Sequence, residues 1–336
     1  MKNSHRVCVV GNGGWGTALA LLLFENGNDV TLWGHSQEEL DGIRATGENK
    51  PYLAGVKIPV GIRLTSDPSE AVRDADLVVL AMPSHFYRSV CLRFRGLIPA
   101  GADVVSVAKG FCEETMERLS VTAAKALDWP EVAALSGPSH AEEVGRHIPT
   151  AVVVACTDVE KAHRIQTIFS GPRFRVYTSG DPVGVELGGA IKNVLAIAVG
   201  LCDGLGFGDN SRAALITRGL AEMARFGAAA GGLPETFAGL SGIGDLVVTC
   251  TSRHSRNRGV GERLGRGETL ADIQAGMKQV AEGVWNCRLV CAMAKRLGVE
   301  MPICMGVQAV LSGELAPKDA VSYLMGRDSK PEVYGR

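Results

Sequence analysis

Residues 6–27 read RVCVVGNGGWGTALALLLFENG, and this stretch decides the fold. RVCVVG (6–11) is a short, β-branched, apolar run, the pattern of a strand buried on both faces. Gly11-Asn12-Gly13-Gly14-Trp15-Gly16 then fits G-x-G-x-x-G, and a helical pattern carries on to residue 27. Glycine-rich turns are common, so the motif alone says little. The strand before it and the helix after it give it meaning. Gly11 permits a tight turn, Gly13 lets a pyrophosphate approach the backbone, and Gly16 lets helix and strand pack closely. The helix N-terminus adds N–H donors and a positive dipole end for the phosphates. The stretch reads as a dinucleotide-binding turn, a merely structural strand-to-helix turn being the plain alternative.

Working outward, the same alternation continues. DVTLWG (29–34), DLVVLAM (76–82), DVVSVA (103–108) and VAALSG (132–137) read as buried strands, with helices at 14–27, 67–74, 84–95 and 114–127. PTAVVVAC (149–156) and RFRVYTSG (173–180) add strands around a helix at 158–170. This predicts an α/β fold whose N-terminal part is a Rossmann-like, doubly wound parallel sheet. The texture changes at Gly180-Asp181-Pro182, where Asp181 suits a helix N-cap and Pro182 the first helical position. Beyond it, Ala-, Gly- and Leu-rich segments at 182–202, 210–231, 269–276, 281–297 and 302–312 show no strand-like alternation. The expected division is a nucleotide-binding domain over 1–180 and an all-helical substrate and catalytic domain over 181–336.

Composition narrows the partners. Basic and acidic residues balance at 35 against 36, without a basic block, which argues against nucleic acid. Nine cysteines form no CxxC, and the odd number scattered through apolar runs predicts reduced thiols in a cytoplasm. The histidines are isolated, so no metal is expected. No apolar stretch of signal-peptide length precedes the first strand, and the most apolar window, 187–201, reads as too short to span a bilayer.

That window holds the chemical clue. In ELGGAIKNVLAIAVG (186–200), Lys192 is the only charge between Glu186 and Asp203. A buried ammonium is costly unless it is paired or sheds its proton. Gly188 and Gly189 lie one turn earlier, and each costs a helix about 1 kcal/mol relative to Ala. They leave either an open notch beside the ammonium or a close helix contact, with the lysine reaching solvent. A second cluster follows GLSGIG: Asp245, Thr249 and Ser255-Arg256-Asn257. Arginine beside hydroxyl and amide donors suits an anion, and Asp245 suits an ammonium or a substrate hydroxyl. A polar surface loop is the plain alternative. At the tip of the second strand, Gly34-His35-Ser36 offers no carboxylate against a 2′-phosphate, and Glu38 comes only in the following turn. NAD and NADP are both expected to be accepted, with NADPH modestly ahead.

VVGNGGWGTALA, AMPSHFYR, AKGF (108–111), LSGPSHAEEV (135–144), ELGGAIKNVLAIAVGL, GLSGIGDLVVTC with SRNR, and VAEGV (280–284) together resemble one family in order and spacing. It is that of the bacterial NAD(P)-dependent glycerol-3-phosphate dehydrogenases, and the resemblance covers essentially the whole chain. It implies reversible conversion of sn-glycerol 3-phosphate and dihydroxyacetone phosphate, run toward the glycerol phosphate that phospholipids need. It makes Lys192 the proton-transfer residue and a substrate contact. It makes Lys109, Gly137, Ser139, Asp245, Ser255, Arg256 and Asn257 substrate contacts. Beside Gly11, Gly13 and Gly16, it makes Gly14, Trp15, His35, Lys109, Ala141, Arg256, Val280 and Glu282 cofactor contacts. Gly14 stands where Ser or Ala is frequent, and Ala108 where Thr often precedes the lysine. Held among apolar groups, Lys192 is expected to have a pKa near neutrality, with Asn193, Asp245 and the substrate as partners. The rivals are another Rossmann-plus-helical 3-hydroxyacid dehydrogenase and a non-catalytic NAD(P)-sensing protein. A small-molecule substrate is the expected partner, with no membrane span and a homodimer left open.

Overall fold

Near-continuous apolar runs make strands that bury both faces, and they assemble into one eight-stranded sheet. The strands are β1 (Arg6–Val10), β2 (Asp29–Trp33), β3 (Arg63–Thr65), β4 (Leu77–Leu80), β5 (Asp103–Ser106), β6 (Ala133–Ser136), β7 (Thr150–Ala155) and β8 (Phe174–Ser179). Their spatial order is β3-β2-β1-β4-β5-β6-β7-β8. The structure, a computed structural model, describes residues 4–277, 281–329 and 331–332. β1 to β6 run parallel, as a doubly wound sheet requires. The order turns back between β1 and β4, and ligands bind in the crevice such a reversal opens at the carboxyl ends of the strands.

Two features of the sheet differ from the sequence reading, and among the helices Gln37–Thr46, Asp245–Thr251, Arg256–Gly265 and Pro317–Met325 were not foreseen. β3, a three-residue edge strand, has too little apolar pattern to stand out. β7 pairs antiparallel to β6, and β8 follows β7, so the sheet is not wholly parallel. The physical reason is what the connection contains. Parallel neighbours need a crossover of a dozen or more residues, usually with a helix. Residues 137–149 hold only the single turn Ala141–Val144, so the chain re-enters the sheet from the end where it left. That hairpin-like return keeps Gly137, Ser139 and Ala141 beside the crevice.

Beyond Ser179 every described element is helical. The helix Pro182–Gly204 runs 23 residues and is buried from Gly184 to Cys202. By length and composition it is long and apolar enough to cross a membrane, which corrects the reading of 187–201 as too short. The protein's other elements enclose it from Gly184 to Cys202, so it is the core of the helical half. Each fully buried Leu, Ile or Val along it contributes about 1.5–3 kcal/mol. Asp181 caps it, accepting from the Gly184 N–H at 2.8 Å, and also takes bonds from Leu233 N and Thr236 Oγ1. Glu186 ties it to the sheet half, where Ser120 and Arg118 donate to its carboxylate.

Glycines set how closely its neighbours approach. A Cβ on Gly188 would strike the Ser241 carbonyl, and one on Gly189 would lie 2.6 Å from Ser136 Oγ. The notch imagined beside Lys192 is therefore filled by the protein itself. Further along, Gly200 faces the Arg258 carbonyl and Gly261 faces the Ile197 carbonyl, so helix Arg256–Gly265 lies almost backbone to backbone on the buried helix.

Candidate active site

A cavity of about 420 Å³ lies between the sheet and the helical half. Gly13, Gly14, Trp15, Lys109, Ser139, Ala141, Lys192, Ser255, Arg256, Asn257 and Glu282 all line it. Residues from six separate stretches of sequence thus meet in one space. Val280 lies outside the described residues.

One end is the glycine loop. Gly11 takes a φ of +115°, and any side chain there would meet the Ala81 backbone at the end of β4. Gly16 presses on the Gly11 carbonyl, which brings helix Gly14–Glu25 against the sheet. An added Cβ on Gly13 would meet no atom within 4 Å. That open space in front of a helix N-terminus fits a pyrophosphate. Gly14 is buried under the Tyr52 carbonyl.

The other end is a charge cluster. Lys192 is buried, ion-paired to Asp245 and donating to Thr249 Oγ1 at 2.7 Å. Lys109 reaches the same carboxylate at 2.7 Å and also bonds the Gly137 carbonyl at 2.9 Å and Ser139 Oγ at 3.4 Å. One aspartate therefore serves two ammonium groups, and the cluster keeps an excess positive charge. Burial draws the Lys192 pKa down to about 7; Asp245 opposes this and Lys109 adds to it. Burial works against ionising Asp245, but Lys109 and Lys192 outweigh it and hold its carboxyl below the usual range. His140 is kept neutral-leaning by burial and by the same two lysines. Asn193 was expected to partner Lys192. Instead it accepts from Asn257 Nδ2 at 2.9 Å, while Asn257 Oδ1 accepts from the Gly283 N–H at 2.8 Å.

The SRN segment is a helix start, which rules out the surface-loop alternative. Ser255 is the N-cap of Arg256–Gly265, its Oγ accepting from the Arg258 N–H at 3.2 Å. Arg256 stands at the first helical position, accessible from the cleft yet crowded enough that burial lowers its pKa, with Glu142 and Glu282 opposing. A guanidinium at a helix N-terminus is a strong anion site. Glu282 does not stand free over the cleft. Ser84 holds its carboxylate through both backbone N–H (3.0 Å) and hydroxyl.

At the β2 tip His35 is exposed. The sequence suggested no carboxylate here, but Glu39 turns back and accepts from Asn12 Nδ2 at 2.9 Å and Tyr52 OH at 3.3 Å. A helix starting at Gln37 lets a residue six beyond the strand return to the loop, which strand-tip reading misses. Sequence reasoning also passed over Ser84, His140, His254 and Asn286. Their only signal was proximity to segments already singled out.

A Rossmann-type sheet whose switch-point crevice opens onto a buried lysine–carboxylate pair defines a two-part, nicotinamide-dependent dehydrogenase. Profiles of the NAD-dependent glycerol-3-phosphate dehydrogenase N-terminus and C-terminus match residues 6–162 and 181–322. The chain is 50% identical over 334 residues to glycerol-3-phosphate dehydrogenase (NAD(P)+) of Moorella thermoacetica, covering 99% of this chain and 98% of that one. It is 48% identical over 331 residues to the protein of that name from Chlorobium limicola, covering 98% and 99%. The crystal structure of glycerol-3-phosphate dehydrogenase from Coxiella burnetii superposes with a TM-score of 0.92 at 38% identity, covering 96% of this chain and 99% of that one. The chain belongs to the NAD-dependent glycerol-3-phosphate dehydrogenase family and is an NAD(P)-dependent oxidoreductase.

Proposed function

We propose that the enzyme interconverts dihydroxyacetone phosphate and sn-glycerol 3-phosphate, with Lys192 as proton donor and Arg256 as phosphate grip, and that it works in the cytoplasm toward phospholipid precursors. The observation that carries this is the meeting of Lys192, Asp245, Thr249 and Lys109 at one end of a cavity whose other end is the glycine loop. Nine unpaired cysteines support a reducing compartment. The nicotinamide, when bound, supplies or accepts the hydride. Lys192 gives its proton to the carbonyl oxygen as charge develops there, and a pKa near the operating pH suits that task. Asp245 holds the ammonium in place, and Lys109 adds positive charge beside the developing alkoxide. Turnover of dihydroxyacetone phosphate with NADH and NADPH, read by absorbance of the reduced nicotinamide, tests the whole reading. No turnover with either cofactor would end it.

The phosphate grip gives a sharper test. Arg256→Ala raises KM for dihydroxyacetone phosphate about tenfold or more, since a charge-assisted contact is worth about 1.5–3 kcal/mol. Unphosphorylated dihydroxyacetone is a poor substrate for wild type and no worse for the variant. Equal losses on both substrates would place the grip elsewhere.

Cofactor choice follows from the β2 tip. Both cofactors are turned over, and His35→Asp tilts kcat/KM toward NADH by about 1 kcal/mol or more through repulsion of a 2′-phosphate. Glu39→Gln moves the ratio the other way. A wild-type preference for NADH above about a hundredfold, near 2.7 kcal/mol, would overturn this account of the tip.

A further inference from the structure

Asn286 is fully buried on helix Glu282–Leu297, yet it belongs to neither the lysine cluster nor the anion site. Its Oδ1 accepts from the Phe111 N–H at 2.9 Å, and its Nδ2 donates to the Glu282 carbonyl at 2.9 Å and to Glu282 Oε2 at 3.4 Å. Gly110 lies flat against it, where an added Cβ would sit 2.7 Å from Nδ2. Phe111 itself is buried in the core of the helical half. The amide thus takes hold of the segment leaving β5, and that segment carries Lys109 two residues earlier. A leucine would fill the same space, and a buried amide is costly unless its bonds matter. These bonds join the two halves of the molecule. On one side lies the arm of Lys109, and on the other the helix whose first residue, Glu282, is held by Ser84.

We propose that Asn286 is a positioning residue for the reaction, fixing the Lys109 segment so that Lys109 and Lys192 share Asp245 correctly. The inference rests on the reading of Lys192 as proton donor. The groups facing Lys192 are Asp245 and Cys250 on helix Asp245–Thr251, Lys109 after β5 and His140 after β6. If Lys109 withdraws, Lys192 loses a neighbouring positive charge and keeps more of Asp245 to itself. Both changes favour its ammonium form, so it holds its proton to higher pH.

The test uses the full-length enzyme with Asn286→Leu. Without cofactor, hydrogen exchange at the Phe111 amide speeds up about tenfold or more. With both substrates, kcat falls about ten- to a hundredfold from misplacement, while both KM values stay close to wild type. The alkaline limb of the reduction profile moves to higher pH. If Asn286→Leu does not fold, Asn286→Ser, which is too short to reach Phe111, is read by the same measurements. Faster Phe111 exchange with kcat and pH profile unchanged would leave Asn286 a purely structural residue and overturn the proposal. Unchanged exchange overturns it as well. A wild-type alkaline limb that survives in Lys192→Ala would instead count against the lysine, with the exchange and the kcat-against-KM split still deciding Asn286.

Discussion

Lys192→Ala loses about two to four decades of kcat, the usual worth of general acid–base catalysis, while cofactor affinity stays near that of wild type. The ammonium is enclosed and held by Asp245 and Thr249. pH dependence adds a signature. With a pKa of about 7, Lys192 is an ammonium below that pH and an amine above it. Reduction, which needs the proton, weakens as pH rises through about 7; oxidation, which needs the free amine, strengthens across the same range. Lys192→Arg is the informative control, because a guanidinium keeps the charge but does not release its proton in this range. It should be nearly as inactive as the alanine variant. Steady-state rates in both directions against pH check this, and alanine-variant activity within threefold of wild type would remove Lys192 from the chemistry.

Asp245→Ala costs about 3–5 kcal/mol of stability, the usual penalty for leaving a buried charge without its partner. Here the loss is doubled in kind, since Lys109 and Lys192 then face each other with no carboxylate between them. Relief comes by Lys192 shedding its proton. Its folded pKa is already depressed and falls further without Asp245, below the ordinary lysine value of 10.5. The penalty is therefore absent above the unfolded lysine pKa and fully present below the folded one. Wild type carries the same penalty down to about pH 7, where its own Lys192 takes up the proton, so through this group the two proteins differ only below about pH 7. The variant regains stability relative to wild type as pH rises toward about 7 and gains no more above it, which denaturant titrations at several pH values measure. A deficit that stays flat over that window would mean the two ammonium groups are not the cause. Reduction activity is lost with it, because Lys192 is then neutral where it must be the acid.

Much of the site could be read before folding was considered. The glycine loop was legible because each of its glycines answers a local steric demand that depends only on the strand before and the helix after. Lys192 was legible because a lone charge in an apolar helix has few physical justifications. Asp245 and Arg256 were visible as suitable chemistry, but nothing local said they would meet Lys192. The spacing of Gly200 and Gly204 against Gly261 and Gly265 was the missed signal. Glycines four apart on two helices announce a close crossing, and that crossing sets the Ser255-Arg256-Asn257 turn against the buried helix.

The sequence by itself determined the elements whose patterns are local: apolar strands, the dinucleotide turn, the Asp181 cap and the buried lysine helix. It also held the clue to the β6–β7 return, since the dozen residues between those strands carry no crossover helix. Only the tertiary structure decided which partners the charges took. Asn193 turned to Asn257, Thr249 took the lysine, Glu39 came back to Asn12, and Ser84 and Asn286 bound the two halves together. These bonds join residues as many as 198 positions apart. A periodic pattern records which face of an element is buried, but a hydrogen bond is a matter of tenths of an ångström between atoms on different elements, and only packing fixes that distance.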